Sequence, residues 1–141
     1  MTTNEIQDGI IEDFSVFDDW MERYNFLIEQ GNSLPPINPK FKTDEYLISG
    51  CQSKVWLQAD YRDGKMFYTA DSDAIIVKGI VSLLVKIMND QKASDIMNLD
   101  LYFVDKTGLK ENLSPTRSNG LVSMVKKMKL YALAYHTKHN S

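Results

Sequence analysis

The stretch KVWLQADYRDGKMFYTADSDAIIVKGIVSLLVKIMND, Lys54 to Asp90, changes its hydrophobic period midway. In its first half Val55, Leu57 and Ala59 alternate with Trp56, Gln58 and Asp60. Met66, Tyr68 and Ala70 alternate in the same way with Phe67 and Thr69. A period of two marks a strand with one face on a core. Asp63-Gly64 between the two runs predicts a tight hairpin turn. From Ala74 onward the chain is apolar nearly all round, and Lys78, Ser82, Lys86 and Asp90 recur every four residues. That pattern predicts a helix central to the fold, exposing one narrow polar stripe. Asp73 stands where an N-cap is expected, and Asp71 beside it fits the same strand-to-helix junction.

A hairpin alone is marginal, so a third strand or a cover of helices is needed. The nearest upstream candidate for that strand is DEYLIS, Asp44 to Ser49. Before it, SLPPINPKF carries three prolines and reads as an extended or turn-rich loop. Two helices precede the loop. Ile6, Ile10 and Phe14 share one face of the first; Phe17, Met21, Tyr24 and Ile28 share one face of the second. Ser15 is a plausible cap between them, and Gly31-Asn32 a stop for the second. Downstream, ASDIM suggests a short helix, and NLDLYFVDKTGLKENL an irregular or briefly helical run. SPTRSNG reads as a loop in which Ser118 or Asn119 caps a last helix. The face of that helix is Leu121, Val125, Met128, Ala132 and Tyr135. Helices, a small antiparallel sheet, then helices make an α+β chain.

The 141 residues suit a single domain spanning 1–141, with 43% hydrophobic and 25% charged residues. No apolar run is long enough to span a bilayer, and the polar, acidic start MTTNEIQDGI lacks the features of a signal peptide. A single cysteine forms no internal disulfide, consistent with a reducing, cytoplasmic location. A formal charge of -3 argues against general nucleic-acid binding. The charge is uneven: Glu5 to Glu29 is acidic apart from Arg23, and SMVKKMKLYALAYHTKH is basic. Two solvated helix faces of opposite sign account for this, as would internal pairing or partner docking.

The lone cysteine, Cys51, lies in ISGCQSKVWL. Gly50 permits a positive φ and removes bulk beside the sulfur; Gln52 and Ser53 are polar neighbours. The local build is a loop that presents a thiol, with an inert, partly buried cysteine as the alternative. A structural zinc or iron–sulfur site needs three or four ligands, and the other soft donors here are His136 and His139 near the C-terminus. Those two imidazoles are poorly placed to serve a Cys–His hydrolase. No phosphate-binding glycine loop or recognisable Schiff-base lysine is present. One thiol without base, metal or cofactor can exchange with a disulfide, be oxidised, or carry sulfur as a persulfide.

GCQSKVWL, DSDAIIVKGIVSLLV and LSPTRSNGLVSMV together resemble the SufE family of sulfur acceptors, including its CsdE branch. The resemblance extends over most of the chain, with the early LPP loop and the final helix in order. It implies an α+β fold like that of the IscU scaffold, although the chain lacks the several cysteines with which IscU assembles clusters. It also implies that Cys51 takes sulfane sulfur from a SufS-type cysteine desulfurase as a persulfide. The chain would thereby stimulate that enzyme and pass the sulfur to a SufBCD-type iron–sulfur scaffold. Pyridoxal phosphate belongs to the desulfurase, so no cofactor is implied for this chain, and it would be a carrier and activator rather than an enzyme. By the same resemblance Asp73 helps hold the cysteine loop at rest, and Arg117 lies near the docking surface. Many relatives have His where this chain has Ser49.

A persulfide is lost to water, oxidants and small thiols when exposed, so a carrier should shelter its sulfur at rest. A glycine-hinged loop against Trp56 or the strand face would do so, with the exposed state minor in the free protein. Asp73 is sited to bias that loop, and Arg117 could pair with Asp73. Two other functions remain: a stand-alone thiol transferase or hydrolase, which needs a base near Cys51, and an interaction module with an inert cysteine. The state is monomer or homodimer, without nucleic-acid or membrane partners.

Overall fold

A computed structural model describes residues 1–140, the last of them by its backbone alone. Two helices open the chain, α1 (Thr3–Ser15) and α2 (Trp20–Asn32). The strands β1 (Val55–Arg62) and β2 (Lys65–Ser72) follow, then α3 (Ile75–Met88) and a two-residue β3 (Gln91–Lys92). Three short helices, α4 (Ala93–Met97), α5 (Phe103–Lys106) and α6 (Leu109–Asn112), lead into the long α7 (Pro115–Asn140). The sheet is antiparallel in the order β1-β2-β3, so the α+β class is correct. Among the described residues no helix is long and apolar enough to cross a membrane.

The hairpin forms where the period-two pattern places it. Arg62 pairs with Lys65, and Asp63 and Gly64 between them have φ of 53° and 79°. Positive φ at both turn residues is the type I′ signature, whose twist matches the strands. Val55, Leu57, Ala59, Met66, Tyr68 and Ala70 all face inward and are buried. They meet α3, of which Ile80, Leu83, Leu84 and Ile87 are among the buried residues, while Lys86 lies exposed on the outer stripe and Asp90 falls beyond the helix end. The α7 face is also as expected, with Leu121, Met128 and Ala132 buried and Met124 joining them. The buried Tyr68 hydroxyl donates to the Met128 carbonyl at 2.7 Å and ties α7 to the sheet.

Several boundaries differ from the sequence reading. Ser15 ends α1 rather than capping α2; Asp19 is that cap, its side chain accepting from the Glu22 amide at 2.8 Å. Phe17 therefore lies outside α2, Met21 is 70% exposed, and the helix buries Leu27 and Gly31 instead. Gly31 is in the helix because a Cβ there would lie 2.9 Å from the Gly79 nitrogen of α3. A Cβ on Gly79 would in turn drive into the Leu27 carbonyl. The two glycines let the backbones of α2 and α3 touch.

The DEYLIS segment does not supply the third strand. Asp44–Tyr46 is a 3-10 turn, and Leu47 makes one isolated bridge to Trp56. The third strand comes from the other side. Asp90 has φ of 64°, its amide donates to the Met66 carbonyl at 2.9 Å, and Gln91 then pairs with Met66. At the end of α7, Ser118 and Asn119 lie inside the helix. Ser114 is the cap, its hydroxyl accepting from the Arg117 amide at 3.3 Å, and Pro115 takes the first helical position. Proline is well suited there because its missing N–H would be unpaired anyway.

Candidate functional site

The loop that carries Cys51 leaves the sheet and returns to it. The Ile48 amide donates to the Val55 carbonyl at 2.9 Å, so the segment between them is closed at its base. Asp73 closes the return side. Its carboxylate accepts from the Lys54 amide at 3.0 Å, and its own amide donates to the Lys54 carbonyl at 3.2 Å. The Ser72 hydroxyl donates to the same Lys54 carbonyl at 2.9 Å. Asp73 is thus no helix cap. Ala74 occupies that position without a side-chain bond, and the Ser72 hydroxyl accepts from the Ala74 amide. The spacing that suggests capping serves instead to pin the cysteine loop.

Gly50 has φ of 91°, and a Cβ there would lie 2.5 Å from the Ser123 hydroxyl oxygen of α7. Both facts demand glycine. The next residue turns its sulfur onto α7. Cys51 is partly buried, and its thiol donates to the Gly120 carbonyl at 3.6 Å. The sulfur packs directly against Gly120, where even a Cβ would stand in ordinary van der Waals contact with the Sγ at 3.5 Å. Burial pushes the Cys51 thiol above its ordinary range, so the sheltered sulfur is protonated and a poor nucleophile.

The sulfur opens on a cavity of about 340 Å³ whose walls include Val77 and Ile80 from α3, and Arg117 and Met124 from α7. Gln52 and Ser53 of the loop line it as well. The shelter is therefore helical. Trp56 is not part of it; its ring lies under the Lys42 ammonium, 4.8 Å from the centroid. Arg117 shares the cavity with Cys51 but forms no ion pair with Asp73. Of the two aspartates at this junction, Asp71 is the one that pairs with cations, Lys42 at 3.1 Å and Lys78 at 3.3 Å. Burial alone would raise the Asp71 carboxyl, but Lys42, the Ser72 amide and Lys78 outweigh it and hold the carboxyl below its usual range.

Among the described residues no carboxylate and no histidine lines this cavity. His139 stacks on Tyr61 with centroids 4.5 Å apart, at the hairpin end of α7. At about 1.5 Å per residue, His136 and His139 lie roughly 24 and 28 Å along the helix from Gly120. Val77, Ile80, Ser114, Thr116, Gly120 and Met124 of the cavity wall, and Ser123 behind Gly50, are site residues that sequence reasoning missed. Gly120 and Ser123 carry a faint signal: small residues three apart on a helix share one face.

Three comparisons bear on the chain. The family model "SufE: Fe-S metabolism associated domain" matches residues 8–132. An uncharacterized SufE-like protein of Rhizobium etli is 42% identical over 127 residues, covering 86% of each chain. One from Synechocystis is 37% identical over 126 residues, covering 89% of this chain and 79% of the relative. A solution structure of a hypothetical protein from Thermus thermophilus shares the fold with a TM-score of 0.77 at 21% identity, covering 94% of this chain and 96% of its own.

Proposed function

We propose that this chain, which belongs to the SufE family, is a sulfur acceptor that works on Cys51. The family domain is one associated with Fe–S metabolism. The observation that carries the finer reading is the setting of the one thiol: partly buried, protonated, on a pinned loop, beside a cavity with no general base. Such a sulfur cannot turn over a substrate alone, because nothing nearby takes its proton. It can accept sulfur from a partner that supplies an activated donor.

That partner is a SufS-type cysteine desulfurase bearing a persulfide on its own cysteine. On docking, the loop leaves α7 and the Cys51 thiol loses its proton to solvent or to the partner. The Cys51 thiolate attacks the outer sulfur of the donor; the donor S–S bond breaks, and the desulfurase cysteine leaves as a thiolate. The outer sulfur is now bonded to Cys51, and the desulfurase is free for another turnover, which is why the acceptor stimulates it. A second attack, by a cysteine of a SufBCD-type scaffold, would pass the sulfur on. Asp73 and its bonds to Lys54 hold the resting loop, and Arg117, exposed at the mouth of the cavity, belongs to the surface the partner meets.

Intact-mass measurement tests this. After incubation with the desulfurase and free cysteine, the native chain should gain at least one sulfur atom, and Cys51→Ser none. A native chain of unchanged mass would eliminate the assignment.

A further inference from the structure

This inference rests on the persulfide reading above and concerns the loaded state. A persulfide is a stronger acid than its parent thiol, so at neutral pH the outer sulfur carries negative charge. The resting shelter suits a neutral thiol: the loop contributes Gln52 and Ser53, and α3 contributes Val77 and Ile80. An anion brought into such surroundings is penalised unless a cation stands by. Besides Cys51, Arg117 is the one charged or titratable group among the described residues that line the cavity. Its guanidinium makes no ion pair with a carboxylate among the described residues.

We propose that Arg117 is a positioning residue for the loaded carrier: its guanidinium pairs with the anionic outer sulfur of the Cys51 persulfide inside the cavity beside α7. A cavity of about 340 Å³ holds one added sulfur atom with room for the arginine to fold over it. The fixed, planar charge stabilises the anion and retains the cargo at rest. The empty thiol, being neutral, makes no such demand, so loading itself recruits the arginine.

The test loads Cys51 without any partner, using inorganic polysulfide, and confirms one added sulfur by mass. The rate of persulfide alkylation by iodoacetamide is then followed against pH. Arg117→Gln should raise the midpoint of that profile by roughly one pH unit, within the range an opposite charge exerts on a neighbouring acid. Arg117→Lys should restore most of the native midpoint. A midpoint indifferent to Arg117→Gln overturns this inference alone. Loading by polysulfide but not by the desulfurase overturns the acceptor reading alone, and no loading by either donor overturns both.

Discussion

Gly50 carries two constraints at once, a φ of 91° and the hydroxyl of Ser123 at its back. An alanine there costs about 1–2 kcal/mol for the left-handed backbone alone, before the contact with Ser123 is counted. Since the open loop is free of both, Gly50→Ala should shift the loop outward by a factor of ten or more. Alkylation of Cys51 in the free protein should quicken accordingly; an unaltered rate would mean that Gly50 is not the hinge. Asp73 acts from the other end. Asp73→Ala removes the carboxylate bond to the Lys54 amide, worth about 1 kcal/mol at an exposed position, and should speed alkylation roughly five-fold. No change in that rate would remove Asp73 from the account. The loop around Gly50 and Cys51 is legible from its neighbours; the spacing of Asp73 suggests a helix cap, and only the family resemblance points it to the cysteine loop. Gln7 was not legible at all. It shares the buried face of α1 with Ile10 and Phe14, its side chain donating to the Asp100 carbonyl and accepting from the Phe103 amide. Such a role depends on a loop over ninety residues away, which no local pattern records.

The hairpin and α3 follow their sequence period, whereas the period in Phe17, Met21, Tyr24 and Ile28 does not mark the buried face of α2. The hairpin and α3 declare themselves through patterns of two and of four. The third strand is two residues long and is brought to β2 by the turn at Asp90, so nothing in its composition marks it. The start of α7, SPTRSNG, reads as a loop in the sequence. In the structure the proline begins the helix, and the glycine lies inside it as the seat for the sulfur. The α2–α3 contact depends in the same way on Gly31 and Gly79. Gly79→Ala should cost about 3 kcal/mol, since its Cβ meets backbone that cannot rotate away. The midpoint of urea unfolding reports this. A loss under 1 kcal/mol would show that the two helices separate easily, contrary to the packing described.

At the scale of the whole molecule, the sheet packs on α3, α7 is bonded to the sheet through Tyr68, and the cysteine loop is held by the bonds of Asp73 to Lys54 and of Cys51 to Gly120. Function in this account is a change in that loop alone. Burial keeps the Cys51 proton on to a higher pH in the folded chain than in the unfolded one. Its contribution to stability is therefore full at and below the ordinary thiol range, and is lost as the pH rises through the folded chain's own midpoint. The same burial makes the free protein slow to alkylate at neutral pH. The most direct measurement is the alkylation rate of Cys51 alone and with the desulfurase present but no cysteine added. The account predicts a slow rate for the free chain and a rise of at least ten-fold on docking. A thiol that reacts as fast as a small free thiol without its partner, or one that the desulfurase leaves unchanged, would contradict a sheltered sulfur uncovered by docking.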